Sequence, residues 1–139
     1  MNGVNQFVER GLNVHFTDDW QVVKLDEHRY YKTLSGRGFK GVDFLAFHKQ
    51  EGLYLIELKN YSDTNSDIPE NLIDVMVEKQ EDTLLLLTII NKYYCRQWSY
   101  RLIHFLGWRK LYKVEWLLWT DMYAAIESGR YTFLGVVDW

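Results

Sequence analysis

The chain has one proline and one cysteine in 139 residues. A lone Cys95 excludes an intrachain disulfide and suits a reducing compartment, so the sequence predicts a cytoplasmic protein. Long apolar runs are also missing. The stretch Leu84–Leu87, with Ile89 and Ile90 beyond Thr88, falls far short of the ~20 residues that cross a bilayer, so no membrane partner is expected. No basic-then-apolar leader opens the sequence, and no signal peptide is expected. Charge of one sign is scarce: 16 Lys and Arg face 19 Asp and Glu, for a net −3. That balance gives no global argument for nucleic acid, although a local basic stripe would suffice for a site. His15, His28, His48 and His104 lack paired ligand spacing, which argues against zinc. There is no glycine-rich phosphate loop, no Gly-x-Ser-x-Gly elbow and no internal repeat. Asp63-Thr64-Asn65-Ser66-Asp67 begins like a calcium loop. Ile68 stands where that loop needs glycine and Asp74 where it needs glutamate, so it reads as a turn.

Aromatics are plentiful, at 17%, and the length suits one domain over 1–139 with a real core. Residues 4–12 read as a short amphipathic helix ended by Gly11. A strand is expected over 20–25, with 29–33 extending or following it, then a hairpin over 40–61. Asp67 is the expected N-cap of a long helix over 70–94, with Pro69 near its first turn. Leu72, Met76, Thr83, Leu86 and Ile90 fall on one stripe of that helix, with Lys79 inside it. Residues 96–105 fit a strand or a helical extension. A strand over 114–119, a short helix over 122–127 capped by Asp121 and stopped at Gly129, and a strand over 131–137 complete the reading. The order α-β-β-β-α-β-α-β implies an α/β fold with a mixed central sheet flanked by helices.

The hairpin carries the chemistry. Gly41-Val42-Asp43-Phe44-Leu45-Ala46-Phe47 and Leu53-Tyr54-Leu55-Ile56-Glu57-Leu58-Lys59 read as buried strands around a polar turn, His48 to Gly52. Pairing Phe47 with Leu53 sets Leu45 opposite Leu55, Asp43 opposite Glu57 and Lys59 opposite Gly41. With a side-chain period of two, Asp43, Glu57 and Lys59 then share one face. Directly opposed carboxylates stand about 5 Å apart at Cβ and repel, and a divalent metal would offset that repulsion. Mg²⁺ takes hard oxygen ligands and keeps several waters. Glu57 opens the one Glu-x-Lys triplet among the chain's nine glutamates. The bland account is an ion pair of Lys59 with Glu57 or Asp43 at a sheet edge.

These residues, Gly-Val-Asp43 before one strand and Ile-Glu57-Leu-Lys59-Asn closing the next, followed by a long helix, resemble the PD-(D/E)XK nuclease superfamily, the restriction-endonuclease-like fold. The resemblance covers roughly residues 4–119, and its specific part about twenty of them. Val42 departs from the motif's proline. The resemblance implies that Asp43 and Glu57 hold Mg²⁺ (Mn²⁺ as a substitute), that the Leu58 carbonyl adds a ligand, and that Lys59 positions or activates water. Glu9, on the expected first helix, inherits a metal role by the same resemblance; a surface glutamate is its bland account. Lys79 or Gln80 would be the polar contribution of the long helix, with snorkelling as the alternative for Lys79.

Arg29, Lys32, Arg37 and Lys40, with Tyr30 and Tyr31 between, lead into Asp43 and could carry a nucleic-acid backbone past the metal. They could equally be a solvated strand edge. Arg101, Arg109, Lys110 and Lys113, with Trp98 and Trp108, form a second basic-aromatic segment or a dimer surface. The expectation is a small metal-dependent nuclease acting on nucleic acid, DNA rather than RNA by resemblance alone. The alternatives are an inactive nuclease-fold module that binds nucleic acid or a protein partner, and a structural homodimer.

Overall fold

Phe44-Leu45-Ala46-Phe47 and Leu53-Tyr54-Leu55-Ile56 are apolar at every position, so strands made from them need cover on both faces. A computed structural model supplies that cover; it describes residues 5–28, 31–32, 36, 38–61, 68–95 and 110–138, with the side chains at 93–95, 110–116 and 138 outside the description. The strands are β1 (Gln6–Glu9), β2 (Leu12–His15), β3 (Gln21–Lys24), β4 (Phe44–His48), β5 (Gly52–Asn60) and β6 (Tyr131–Asp138). The helices are α1 (Leu72–Ile89), which runs on into a π-helical turn (Ile90–Cys95), and α2 (Lys110–Glu127). β3, β4, β5 and β6 form a four-stranded sheet in that order, and β1 and β2 form a separate hairpin. β3–β4 and β4–β5 pair antiparallel, whereas β5–β6 is parallel. The parallel pair requires the crossover that the helical segment provides. The protein is therefore α/β, with a mixed sheet and two α-helices among the described residues.

The expected hairpin register holds. Phe47 pairs with Leu53 and Leu45 with Leu55, and one further pair, His48 with Gly52, shortens the loop to residues 49–51. Gly52 takes a φ of +92°, and a Cβ there would lie 2.5 Å from the Arg130 carbonyl oxygen, so only glycine fits. The His48 Nδ1 accepts hydrogen bonds from the backbone N–H groups of Gln50 and Glu51, both at 3.1 Å, which closes the turn.

Leu45, Phe47, Leu53 and Leu55 face the helices and pack in one cluster with Leu86, Leu87, Ile90, Trp119, Met122 and Ala125. Phe44, Ala46, Ile56 and Leu58 face the other way and pack under Phe7, Leu12, Val14, Phe16 and Trp20. A side chain of this size contributes about 1.5–3 kcal/mol when fully buried, so covering the second face is not optional.

That second layer corrects the expectation for residues 4–12, which form a strand hairpin and not a helix. Phe7, Leu12 and Val14 all point at the sheet, with the period-two spacing of strands on either side of the Arg10–Gly11 turn. The strand expected over 114–119 is also corrected: those residues lie inside α2. Trp119, Met122 and Ala125 are buried at three-residue spacing, a helical stripe that the short run before them could not reveal. The short helix over 122–127 is the end of α2, and Asp121 lies within it without capping it. Its stop at Gly129 holds: φ is +75° there. Arg130 N–H bonds the Ala125 carbonyl at 2.8 Å and Gly129 N–H that of Ile126 at 3.1 Å, the Schellman pattern. The long helix begins later than expected, with Asn71 as N-cap. Leu72 N–H bonds the Pro69 carbonyl at 3.2 Å, so Pro69 lies before the first turn. Asp67 and the 62–67 loop, and residues 96–105, lie outside the described residues. Of residues 29–33, Tyr31 and Lys32 are helical and do not extend β3. No helix among the described residues is long and apolar enough to cross a membrane.

Candidate active site

β5 is an inner strand, flanked by β4 and β6. Two residues beyond Leu55, Glu57 falls on the helix-side face under α1 and is completely buried. A buried carboxylate needs partners. Lys79, from the apolar stripe of α1, donates to Glu57 Oε2 at 2.5 Å. Lys59, one step along the same face of β5, has its Nζ 3.3 Å from that same oxygen. The other oxygen, Oε1, is buried without a hydrogen-bond partner among the described residues. Burial is the largest influence on Glu57 and raises its pKa, the charge of Asp43 raises it further, and Lys79 and Lys59 oppose both.

Asp43 lies one step before the paired part of β4, whose ladder against β5 ends at Phe44 and Ile56. Asp43 and Glu57 thus lie one step beyond the last ladder pair, and the like charge of Asp43 acts on Glu57. The approach is tied down on every side. Val42 N–H donates to Thr83 Oγ1 at 2.9 Å, and that hydroxyl donates to the Lys79 carbonyl at 2.6 Å. Leu25 N–H bonds the Asp43 carbonyl at 3.0 Å. Leu58 N–H donates to Asp43 Oδ2 at 2.8 Å. Asp43 therefore keeps Oδ1, faced by the Arg10 guanidinium at 3.7 Å. Gly41, the expected neighbour of Lys59, instead bonds the Tyr31 hydroxyl through its N–H at 3.3 Å.

Glu57 thus has one oxygen without a hydrogen-bond partner among the described residues, and Asp43 has Oδ1 in a 3.7 Å ion pair with Arg10. Two such carboxylates, one with an orphaned buried oxygen, fit a hard divalent cation that keeps part of its water shell. Among the described residues no group of three or more His, Cys, Asp or Glu side chains stands together.

The remaining expected residues are dispersed. Glu9 lies on β1 and pairs with Lys24 at 3.2 Å. Lys24 is opposite Phe44, so this pair belongs to the hairpin side of the sheet. Leu58 is buried and offers its N–H to Asp43. Lys40 is exposed, its N–H bonded to Asp82 Oδ2 at 3.0 Å. Gln80 is half-buried beside Lys79 on α1. Arg37 and Arg29 lie outside the described residues, as do Trp98, Arg101, Trp108 and Arg109.

Arg10 was not anticipated. It takes a φ of 51°, and Gly11, which follows it, 78°. For a residue with a side chain that backbone costs about 1–2 kcal/mol. Its ion pair with Asp43, on a guanidinium side chain 42% exposed, returns at most about 1 kcal/mol. The readable signal was alternation on either side of an x-Gly pair, a two-residue hairpin turn.

No family model matches the chain, and no curated protein or solved structure matches it either.

Proposed function

We propose that this protein hydrolyses phosphodiester bonds in nucleic acid, DNA rather than RNA, at a divalent-cation site formed by Asp43 and Glu57 in the manner of a PD-(D/E)XK nuclease. The observation that carries the reading is Glu57: a fully buried carboxylate with Oε1 unpartnered among the described residues, beside a second acid whose charge acts on it. Burial of a half-satisfied acid costs several kcal/mol in general and calls for a ligand. Asp43 and Glu57 would hold the cation, with the Leu58 carbonyl as a third protein oxygen. When bound, Mg²⁺ or Mn²⁺ supplies a more acidic water and neutralises charge on a phosphoryl oxygen.

The chain's own groups do the rest. Lys59 has its ammonium 3.3 Å from Glu57 Oε2 and would supply positive charge to the attacking oxygen and the phosphate. Lys79 holds the Glu57 side chain in position from α1, so the acid does not rotate away. Leu58 N–H orients Asp43. Arg37 and Lys40 would steer the nucleic-acid backbone toward Asp43. Glu9 is not needed in this set, because Lys24 occupies its carboxylate.

One observation favours a second reading. Two ammonium groups already meet Glu57 Oε2, and such a cluster can be purely structural in an inactive module that binds nucleic acid or a protein partner. Cleavage decides between them. A labelled duplex incubated with Mg²⁺ should be cut by the wild type, with the rate at least about 100-fold lower in Lys59→Ala. Equal rates in the two proteins would contradict the assignment of Lys59.

A further inference from the structure

The two-residue loop closing the β1–β2 hairpin is Arg10-Gly11, between the paired residues Glu9 and Leu12. Positive φ at both central residues makes it a type I′ turn, whose first position favours Asn, Asp or Gly. Arginine is outside that favoured set, and Arg10 is the one non-glycine residue with positive φ among those described. The loose pair with Asp43 does not offset that strain, so stability does not account for the side chain. Backbone strain of this kind collects at functional sites, and here it coincides with one.

The turn is also latched to the site. Asn60, which follows Lys59 on β5, donates from Nδ2 to the Arg10 carbonyl at 2.8 Å. That bond ties down the turn, and the guanidinium stands at the Asp43 side of the site, with Nη2 3.7 Å from Oδ1, beyond hydrogen-bond length. Among the described residues no hydrogen bond engages its donors, and a planar fork of N–H groups matches the paired oxygens of a phosphate.

We propose that Arg10 is a phosphate clamp: it binds the non-bridging oxygens of a backbone phosphodiester lying against the Asp43–Glu57 site. This rests on the phosphodiester reading given above and extends it to the hairpin layer. Arg10 acts on bound substrate and takes no proton, so its signature is in binding and salt dependence.

The test is fluorescence anisotropy of a labelled DNA duplex in Mg²⁺, in a Lys59→Ala background that leaves the duplex intact. Arg10→Asn suits the turn, so its melting temperature should equal or exceed that of the parent. Its affinity should fall at least about 10-fold, and the slope of log K against log salt should shrink by about 0.9, one phosphate contact. Arg10→Lys should keep that slope while losing part of the affinity, because a point charge replaces a fork. An Arg10→Asn protein that stays folded and binds with unchanged affinity and slope overturns the proposal. A parent protein that binds no duplex overturns the phosphodiester reading itself, and the clamp with it.

Discussion

Lys79 Nζ lies 2.5 Å from Glu57 Oε2, so the helix that packs on the sheet is joined by charge to a fully buried acid of the core. Removing the lysine would leave Glu57 with Lys59 alone, at 3.3 Å. Breaking a buried pair by deleting one partner is far more harmful than replacing both. Lys79→Met should therefore lower stability by about 2–4 kcal/mol in urea unfolding, and Lys79→Met with Glu57→Met should recover most of it. A single mutant as stable as wild type would show that the pair contributes nothing to holding Glu57.

The pKa of Glu57 gives a pH dependence whose sign is opposite to that of an exposed salt-bridged carboxylate. Burial, then the charge of Asp43, raise it above the ordinary 4.5 against the opposing lysines. The folded chain consequently binds a proton more tightly than the unfolded chain does. Between the ordinary value and the raised folded one, the metal-free protein should lose stability as pH rises. A divalent cation favours the carboxylate, so Mn²⁺ binding should release protons and tighten with pH across the same window. Calorimetric titrations in buffers of different ionisation enthalpy read the released protons directly. Proton-neutral binding in that window would contradict the buried-acid account.

Much of this arrangement was legible in the sequence because it depends on short-range pattern. The β4–β5 register followed from two apolar runs around a polar loop, and Lys79 was visible as a charge inside an apolar helical stripe. What escaped were features set by tertiary cover. Phe7, Val8, Leu12 and Val14 fit a short helix or two strands almost equally, and the need to cover Phe44 and Ile56 decides for strands. Val114-Glu115-Trp116-Leu117-Leu118-Trp119 has strand composition, yet the burial of Trp119, Met122 and Ala125 makes it helix. The Asp43–Leu58 and Arg10–Asp43 contacts arise where the ladder ends, and no sequence period reports the end of a ladder.

Thr83 shows how the helix positions the acid-bearing segment. Its hydroxyl accepts from Val42 N–H at 2.9 Å, one residue before Asp43, and is itself wholly buried. Thr83→Val keeps the shape and orphans that N–H, which costs about 1–3 kcal/mol. Thr83→Ser should retain most of the stability, since it keeps the acceptor. Chemical denaturation of the two variants checks this, and equal losses would mean that the methyl group, not the hydroxyl, matters.

The account stands or falls on whether Asp43 and Glu57 share a divalent cation. Isothermal titration of the wild type with Mn²⁺ should give one site, and the same titration of Asp43→Ala should give none while circular dichroism shows the fold retained. Undiminished Mn²⁺ binding by a folded Asp43→Ala protein, or no binding by the wild type, would contradict it.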